Sequence, residues 1–310
     1  MMGSKVFKVF IAVAAAAAAA WLLIEEMKKE MAVRPVPAGE SMSCIREWTG
    51  VNEDALCLYY YRPGRWTEKD AIFIAFHGFG RDGAEYCKAL RKLAEERNML
   101  IVCPELTERK YPGAEWYQEG GIMDTDGHIR EKEKRTFSVV DRIVAEVKNR
   151  TQAAGKVILF GHSAGGQFVH RWALLGGKKN VDVIAVANSG WFTMPDRDID
   201  YPYGIKNVGI TDEELGEAFA KPVILFMGEK DVERKPPFRD TPEADAQGMN
   251  RMERCTNYFR QCKAKAEELR VPFRWKLETV EGAAHQGVKM AEGAAAYIFG
   301  KSSEDRNRRV

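Results

Sequence analysis

The chain has 310 residues, 45% of them apolar, which is enough to bury one full hydrophobic core. Its 47 Lys and Arg residues nearly balance 45 Asp and Glu residues, and the formal net charge is +2. A chain with so little net charge lacks the excess of basic residues that is typical of nucleic-acid-binding proteins. Nucleic acid is therefore excluded as a partner.

The first predicted element is an N-terminal targeting segment over residues 1–30. Lys5 and Lys8 precede an uninterrupted apolar stretch, rich in alanine, at residues 9–24. As a helix this stretch would span about 24 Å, short of the ~30 Å hydrocarbon core, so a cleaved signal peptide and an uncleaved membrane anchor both remain open. The basic residues are expected to stay in the cytoplasm, which makes the rest of the chain extracytoplasmic, either periplasmic or secreted.

The remaining chain divides into a linker, one domain and a tail. Pro35 and Pro37 indicate an extended linker over residues 31–41, and a charged tail is predicted at residues 301–310. Between them, residues 42–300 form the predicted catalytic domain. Strands are predicted at 55–62, 71–76, 99–103, 157–160, 181–187, 222–227 and 273–280, and helices at 84–98, 136–150, 167–175, 211–219, 250–269 and 287–299.

The alternation of strands and helices predicts an α/β fold, with a mainly parallel sheet and helices on both faces. Ligands of such sheets bind beyond the carboxyl ends of the strands. Thr211 and Glu214 form a capping-box pattern at the start of one helix. Two long connections, 105–135 and 188–210, interrupt the alternation, and long connections in a compact domain are often functional.

Six cysteines would permit disulfides in an oxidising compartment, but their pairing cannot be derived from the sequence. Cys255 and Cys262 share a predicted helix and lie about 10 Å apart along it, beyond disulfide reach. The chain has no CxxC spacing and no cluster of Cys and His, so no metal site and no cofactor is predicted. Most of the cysteines are expected to be small buried apolar residues.

The strongest motif lies where the strand at 157–160 ends. Gly161-His162-Ser163-Ala164-Gly165 follows that strand and precedes a helix, which is the setting required of a G-x-S-x-G nucleophile elbow. The serine of such a turn is strained, and the two glycines avoid collisions with the adjoining strand and helix. The pattern predicts Ser163 as a nucleophile.

A serine nucleophile needs a base, and the chain offers five histidines. His77, His162 and His170 belong to other predicted features, and His128 precedes the serine. His285 follows the last predicted strand, in the order nucleophile, acid, base that is typical of this motif. We therefore predict His285 as the base.

The acid that orients the base is predicted to be Asp231. It follows the strand at 222–227 through Gly228 and lies between Ser163 and His285 in the sequence. A carboxylate there would accept the Nδ1 proton of His285 and stabilise the imidazolium formed during attack. Glu229 and Asp240 remain alternative candidates.

The oxyanion hole is predicted from the segment His77-Gly78-Phe79-Gly80, which follows an early buried strand. Glycines let a backbone approach the substrate, so the amides of Phe79 and Ala164 are the predicted donors.

From about residue 55 to residue 299 the chain resembles the α/β-hydrolase superfamily, and within it the secreted polyhydroxybutyrate depolymerase and feruloyl-esterase-like esterases. The resemblance rests on the segment 77–80, Pro104-Glu105, the elbow at 161–166, the segment 228–231 and His285. It implies a serine esterase, a carboxylic ester hydrolase without metal or organic cofactor, that acts on a small-molecule or polymeric ester.

The chain departs from the depolymerase group at Phe79, Arg81 and Gln286. That group typically has a cysteine and a further glycine in the oxyanion loop and a tryptophan near the catalytic histidine. The resemblance therefore implies ester hydrolysis without implying polymer depolymerisation. Trp116 and Tyr117 in the first long connection, and Trp191 in the second, are predicted to line the substrate site.

Two alternatives to hydrolysis remain. Transfer of the acyl group to an alcohol or sugar would need the same triad, and only its products would differ. A catalytically inactive, membrane-tethered binding module would share the fold but would not react at Ser163. The sequence leaves the ester and the oligomeric state open.

Overall fold

The computed structural model describes residues 35–177 and 180–300. The predicted targeting segment and the predicted C-terminal tail lie outside these residues. A compact unit begins at Val36, and the fold below is that of this unit.

Eight strands form a single sheet, in the order β1-β2-β4-β3-β5-β6-β7-β8. Strand β2 pairs antiparallel with β1 and with β4, and every pair from β4 through β3 to β8 is parallel. The mainly parallel sheet predicted from the sequence is therefore confirmed. The strands are β1 Gly39–Ile45, β2 Leu56–Arg62, β3 Ile72–Phe76, β4 Leu100–Glu105, β5 Val157–His162, β6 Val183–Ala187, β7 Val223–Gly228 and β8 Lys276–Val280.

Helices cover both faces of the sheet. In the described residues they are α1 Gly83–Ala89, α2 Arg91–Arg97, α3 Gly113–Trp116, α4 Ser138–Thr151, α5 Ala164–Leu175, α6 Asp212–Phe219, α7 Pro242–Asp245, α8 Arg251–Glu268 and α9 Gly287–Phe299, with a 3₁₀ turn at Lys132–Lys134. Alternate residues of a strand face opposite sides of a sheet. In β3, Ile72, Ile74 and Phe76 belong to the core cluster that also contains residues of α4, α5, α6 and α8, whereas Phe73 and Ala75 belong to the cluster that contains residues of α1, α2 and α9.

The structure adds strand β1 and the short helices α3 and α7 to the predicted elements, begins the last strand at Lys276 rather than at residue 273, and divides one predicted helix in two. Strand β1 occupies Gly39–Ile45, so its first residues fall in the predicted linker. The segment predicted as one helix at 84–98 is two helices, which meet at Leu90. The capping box at Thr211 is confirmed, since its hydroxyl accepts from the Glu214 amide while the Glu214 carboxylate accepts from the Thr211 amide.

The cysteines divide into one pair and four free thiols. Cys44 and Cys57 lie opposite each other on β1 and β2 and form a disulfide. Cys255 and Cys262 are free and buried on α8, as predicted, and Cys87 and Cys103 are also buried. Among the helices of residues 35–177 and 180–300, none has the length and apolar character needed to cross a bilayer.

Candidate active site

The elbow motif forms a sharp turn between β5 and α5. Ser163 has φ 57° and ψ −115°, a conformation that costs an L residue free energy and is typical of functional sites. A Cβ on Gly161 would lie 2.2 Å from the carbonyl oxygen of Gly165, and one on Gly165 would lie 2.2 Å from that of Phe76. Both glycines are therefore required for this turn to pack against its neighbours.

The side chains of Ser163, His285 and Asp231 lie in hydrogen-bonded series. The distance from Ser163 Oγ to His285 Nε2 is 2.9 Å, and that from His285 Nδ1 to Asp231 Oδ2 is 2.7 Å. The serine follows β5, the aspartate follows β7 and the histidine follows β8. Because the carboxyl ends of these parallel strands share one edge of the sheet, residues distant in sequence meet there.

The other carboxylates considered for the acid do not reach His285. Glu229 accepts a hydrogen bond from the Gly282 amide at 2.7 Å, which tethers the loop that carries His285. Asp240 is exposed. Asn188, at the end of β6, accepts from the Gly228 amide at 2.7 Å and donates to the Ala284 carbonyl at 3.0 Å. These bonds hold the ends of β6 and β7 and the histidine loop together.

A buried arginine contacts the same aspartate, and sequence reasoning missed it. The Nη1 atom of Arg251 lies 3.1 Å from Asp231 Oδ1, and both residues are buried. The guanidinium also donates to the carbonyls of Glu233 and Pro237. Arg251 opens α8, and nothing in its sequence context distinguishes it from Arg260, the exposed arginine of that helix.

A second imidazole packs against His285. The ring of His162 lies 4.7 Å from that of His285, centroid to centroid, and is buried. Burial lowers the pKa of His162 well below its usual value, and the positive charge of Arg251 acts in the same direction. His162 is therefore neutral and adds no charge beside His285.

The loop after β3 lies against the nucleophile. A Cβ on Gly78 would be 3.8 Å from the Cβ of Ser163, which places the backbone before Phe79 next to the serine. Ala164 is the first residue of α5, so its amide has no acceptor within the helix. These are the two amides predicted for the oxyanion hole.

His77 and Tyr117 hold this loop in place. His77 Nε2 accepts from the Leu106 amide and Nδ1–H donates to the Gly78 carbonyl, each at 3.0 Å. The hydroxyl of Tyr117 donates to the His77 carbonyl at 2.7 Å. Burial lowers the pKa of His77 to about 4, so the imidazole is neutral and can accept at Nε2.

A cavity of about 720 Å³ opens beside Ser163. Its walls combine the elbow, the Phe79 loop and the segments around Trp191 and Arg239. Polar groups contribute to this lining as well as aromatic ones. The lining includes Arg81, Gln118, Gln167, Trp191, Arg239 and Arg251.

The three aromatic residues predicted to line the substrate site differ in position. Trp191 lines the cavity. Trp116 and Tyr117 are not among its lining residues, which corrects the prediction for both. Tyr117 is fully buried in the core, where its hydroxyl donates to the His77 carbonyl. Trp116 packs partly against the core, and the guanidinium of Arg130 lies 4.0 Å from the centroid of its ring. Their neighbour Gln118 lines the cavity instead.

One group of residues in the described part of the chain has the donor atoms of a metal site. Asp124, Asp126 and His128 bring ligand atoms within 4.8 Å of one another on the surface. Asp124 Oδ1 already accepts from the amides of Asp126 and His128, a common turn arrangement. These residues do not line the cavity at Ser163.

Comparison with solved structures places the chain in a family. Poly(aspartic acid) hydrolase-1 from Sphingomonas sp. KT-1 is 30% identical, with a TM-score of 0.80 over 85% of this chain and 100% of that chain. The chain belongs to the α/β-hydrolase superfamily, and the predicted class of serine ester hydrolase is confirmed at the level of enzyme class.

Two other structures are similar to different degrees. LpqC, a poly(3-hydroxybutyrate) depolymerase from Bordetella parapertussis, is 29% identical, with a TM-score of 0.80 over 88% of this chain and 94% of that chain. FphF, a fluorophosphonate-binding serine hydrolase from Staphylococcus aureus, is 13% identical with a TM-score of 0.52 and shows the fold alone. No family profile and no curated protein sequence matches the chain.

Proposed function

We propose that this protein hydrolyses carboxylic esters through an acyl-enzyme intermediate on Ser163. The observation that carries the proposal is the series of two short hydrogen bonds from Ser163 through His285 to Asp231, beside a cavity large enough for a small substrate. The substrate is a small-molecule ester or one bond of a polymeric ester. Similarity to a depolymerase at 29% identity supports the ester class.

In the first step the Oγ of Ser163 attacks the carbonyl carbon of the ester while His285 Nε2 takes the hydroxyl proton. Asp231 accepts from Nδ1–H, which fixes the tautomer and stabilises the imidazolium. When the tetrahedral intermediate collapses, the imidazolium gives its proton to the leaving alcohol. Water then repeats the sequence on the acyl-enzyme and releases the acid.

The negative oxygen of each tetrahedral intermediate is held by the amides of Phe79 and Ala164 in this proposal. The approach of Gly78 to Ser163 supports the first donor, and the position of Ala164 at the start of α5 supports the second. A helix start also carries a partial positive charge. Loss of one such donor typically raises the barrier by about 3 kcal/mol.

Turnover of short p-nitrophenyl esters tests the proposal. The wild-type protein should hydrolyse them with a burst of p-nitrophenol, and a fluorophosphonate should label it at Ser163. Ser163→Ala should remove both signals. Ser138→Ala is a matched control, because Ser138 starts α4 and does not line the cavity. Retention of activity by Ser163→Ala would refute the assignment, and absence of labelling would favour the inactive binding module.

Acyl transfer is separated from hydrolysis by its products. With an alcohol added in competition with water, a hydrolase releases mainly the free acid, whereas a transferase forms mainly the new ester. Both reactions require Ser163, so labelling alone cannot distinguish them.

We also propose an extracytoplasmic location, with the N-terminal segment as a signal peptide or membrane anchor. The Cys44–Cys57 disulfide supports it, since such bonds persist in oxidising compartments. Thiol alkylation of protein from intact cells should leave these two cysteines unmodified. Modification of both would argue for a reducing compartment.

A further inference from the structure

The wall of the cavity around Trp191 carries an uncompensated positive charge. Of the arginines that line the cavity, Arg81 pairs with Glu108 at 3.1 Å and Arg251 pairs with Asp231 at 3.1 Å. Arg239 is exposed and has no ion pair with any described residue; its Nε donates to the hydroxyl of Tyr203 at 2.9 Å. Both terminal nitrogens of Arg239 are therefore left for a ligand.

The setting of Arg239 is ordered by aromatic contacts. Its guanidinium lies 5.1 Å from the ring centroid of Trp191, and the buried guanidinium of Arg171 lies 4.1 Å from the same ring. Cations favour the faces of aromatic rings, which limits the positions open to the Arg239 side chain. A guanidinium held this way loses less conformational entropy when it binds an anion.

Two nearby carboxyl groups do not cancel this charge. Glu119 interacts with both Arg171 and Arg239, but burial raises its pKa, and it does not line the cavity. Glu243 also interacts with Arg239, but it is exposed, so solvent screens its charge, and it does not line the cavity either. The lining beside Trp191 therefore keeps the positive charge of Arg239.

Two amide side chains make the same part of the cavity polar. Gln118 and Gln167 line it, and the side-chain carbonyl oxygen of each is buried without a hydrogen-bond partner among the described residues. The lining beside Arg239 is therefore amide-bearing rather than purely hydrocarbon, which suits a polar substrate.

We propose that this wall is a subsite for a carboxylate on the substrate, with Arg239 as the counter-ion. The substrate class is then an ester that also bears a free carboxylate, such as a half-ester of a dicarboxylic acid or one unit of an acidic polymer. The proposal rests on the proposed function, since the carboxylate would orient the ester carbonyl toward Ser163. Planar guanidinium groups match carboxylates through two parallel hydrogen bonds.

The test compares p-nitrophenyl half-esters of succinic, adipic and suberic acids with the same compounds capped as methyl esters. The capped series has the same acyl chains without the negative charge. Wild-type kcat/KM should be higher for the free acid of the best length. Arg239→Gln should lower kcat/KM for that acid by about tenfold to a hundredfold, with a much smaller effect on its capped form.

Lys235→Gln is the matched control, because Lys235 lies in the same segment, is exposed, pairs with Glu233 and does not line the cavity. It should keep the preference for the free acid. The subsite would be overturned if Arg239→Gln lowered kcat/KM equally for the free-acid and the capped esters. It would also be overturned if the wild type showed no higher kcat/KM for the free acids.

A binding measurement separates this proposal from the proposed function. Calorimetry with Ser163→Ala should show tighter binding of monomethyl adipate than of dimethyl adipate, and Arg239→Gln added to that variant should remove the difference. If the wild type hydrolysed none of the esters but this difference appeared, the ester hydrolase assignment would fail and the subsite would stand. Equal binding of the two compounds would refute the subsite even if hydrolysis were normal.

Discussion

Each carboxylate oxygen of Asp231 has its own partner. Oδ2 lies 2.7 Å from His285 Nδ1, and Oδ1 lies 3.1 Å from Arg251 Nη1. A carboxylate held at both oxygens cannot rotate away from the imidazole. We infer that Arg251 is a positioning residue, which acts on the reaction through Asp231.

Replacement of this arginine should therefore reduce kcat. Arg251→Gln removes the cation and leaves Asp231 buried with one partner fewer, so we expect kcat to fall about tenfold to a hundredfold. Millimolar guanidinium should restore part of the activity, since the vacated site adjoins the cavity, and Arg251→Lys should retain more activity than Arg251→Gln. The measurement is steady-state kinetics on a p-nitrophenyl ester.

Arg254→Gln is the control for a merely structural loss. Arg254 is also buried on α8, but it pairs with Asp245 at 2.8 Å. Its replacement should destabilise the fold without any response of kcat to guanidinium. If Arg251→Gln kept the wild-type kcat, the ion pair between Arg251 and Asp231 would not be needed to position the carboxylate.

At the scale of the element, the turn between β5 and α5 tolerates no side chain at Gly165. Gly165→Ala should lower the free energy of unfolding by about 2 to 3 kcal/mol, because the new methyl group would meet backbone rather than a flexible side chain. Urea denaturation measures this directly. Gly64→Ala is the matched control: no heavy atom lies within 4 Å of its Cβ position, so we expect a change of about 0.5 kcal/mol or less. Equal stabilities of the two variants would contradict the packing argument.

The elements differ in how well the sequence predicts them, for physical reasons. Central strands such as β5 and β7 are buried throughout and appear as continuous apolar runs. Strand β1 lies at the sheet edge, pairs only with β2 and has no fully buried residue, so its sequence GESMSCI carries no such signal. The break at Leu90 has no glycine or proline to mark it.

At the scale of the whole molecule, some residues of the candidate site could be predicted from the sequence and others could not. Ser163, His285 and Asp231 could be predicted because the motif and chain order restrict their positions. Gln167 could have been found too, since it lies one helical turn after Ser163 and so shares its face of α5. Arg239, Arg251 and Gln118 could not, because no motif restricts their positions. Gln118 and Arg239 lie in connections without a periodic pattern, and the role of Arg251 depends on how the start of α8 packs beside Asp231.

Buried neutral histidines should make the whole fold sensitive to acid. Burial lowers the pKa of His77 to about 4 in the folded protein, whereas an unfolded histidine titrates near 6.5. As the pH falls below 6.5 the unfolded chain binds a proton that the folded protein does not bind until about pH 4. The free energy of unfolding therefore declines across this window, by about 3 kcal/mol from His77 alone. Burial lowers the pKa of His162 and His170 as well, which acts in the same direction.

Urea denaturation at a series of pH values from neutral to about 4 tests this expectation, since this range spans the two His77 titrations. His77→Gln should flatten the decline, because a glutamine oxygen can still accept from the Leu106 amide but takes up no proton in this range. His128→Gln is the matched control, since its imidazole is exposed and replacement should leave the slope unchanged. An undiminished slope in His77→Gln would mean that protonation of other groups governs acid unfolding, and that the oxyanion loop does not depend on a neutral imidazole beneath it.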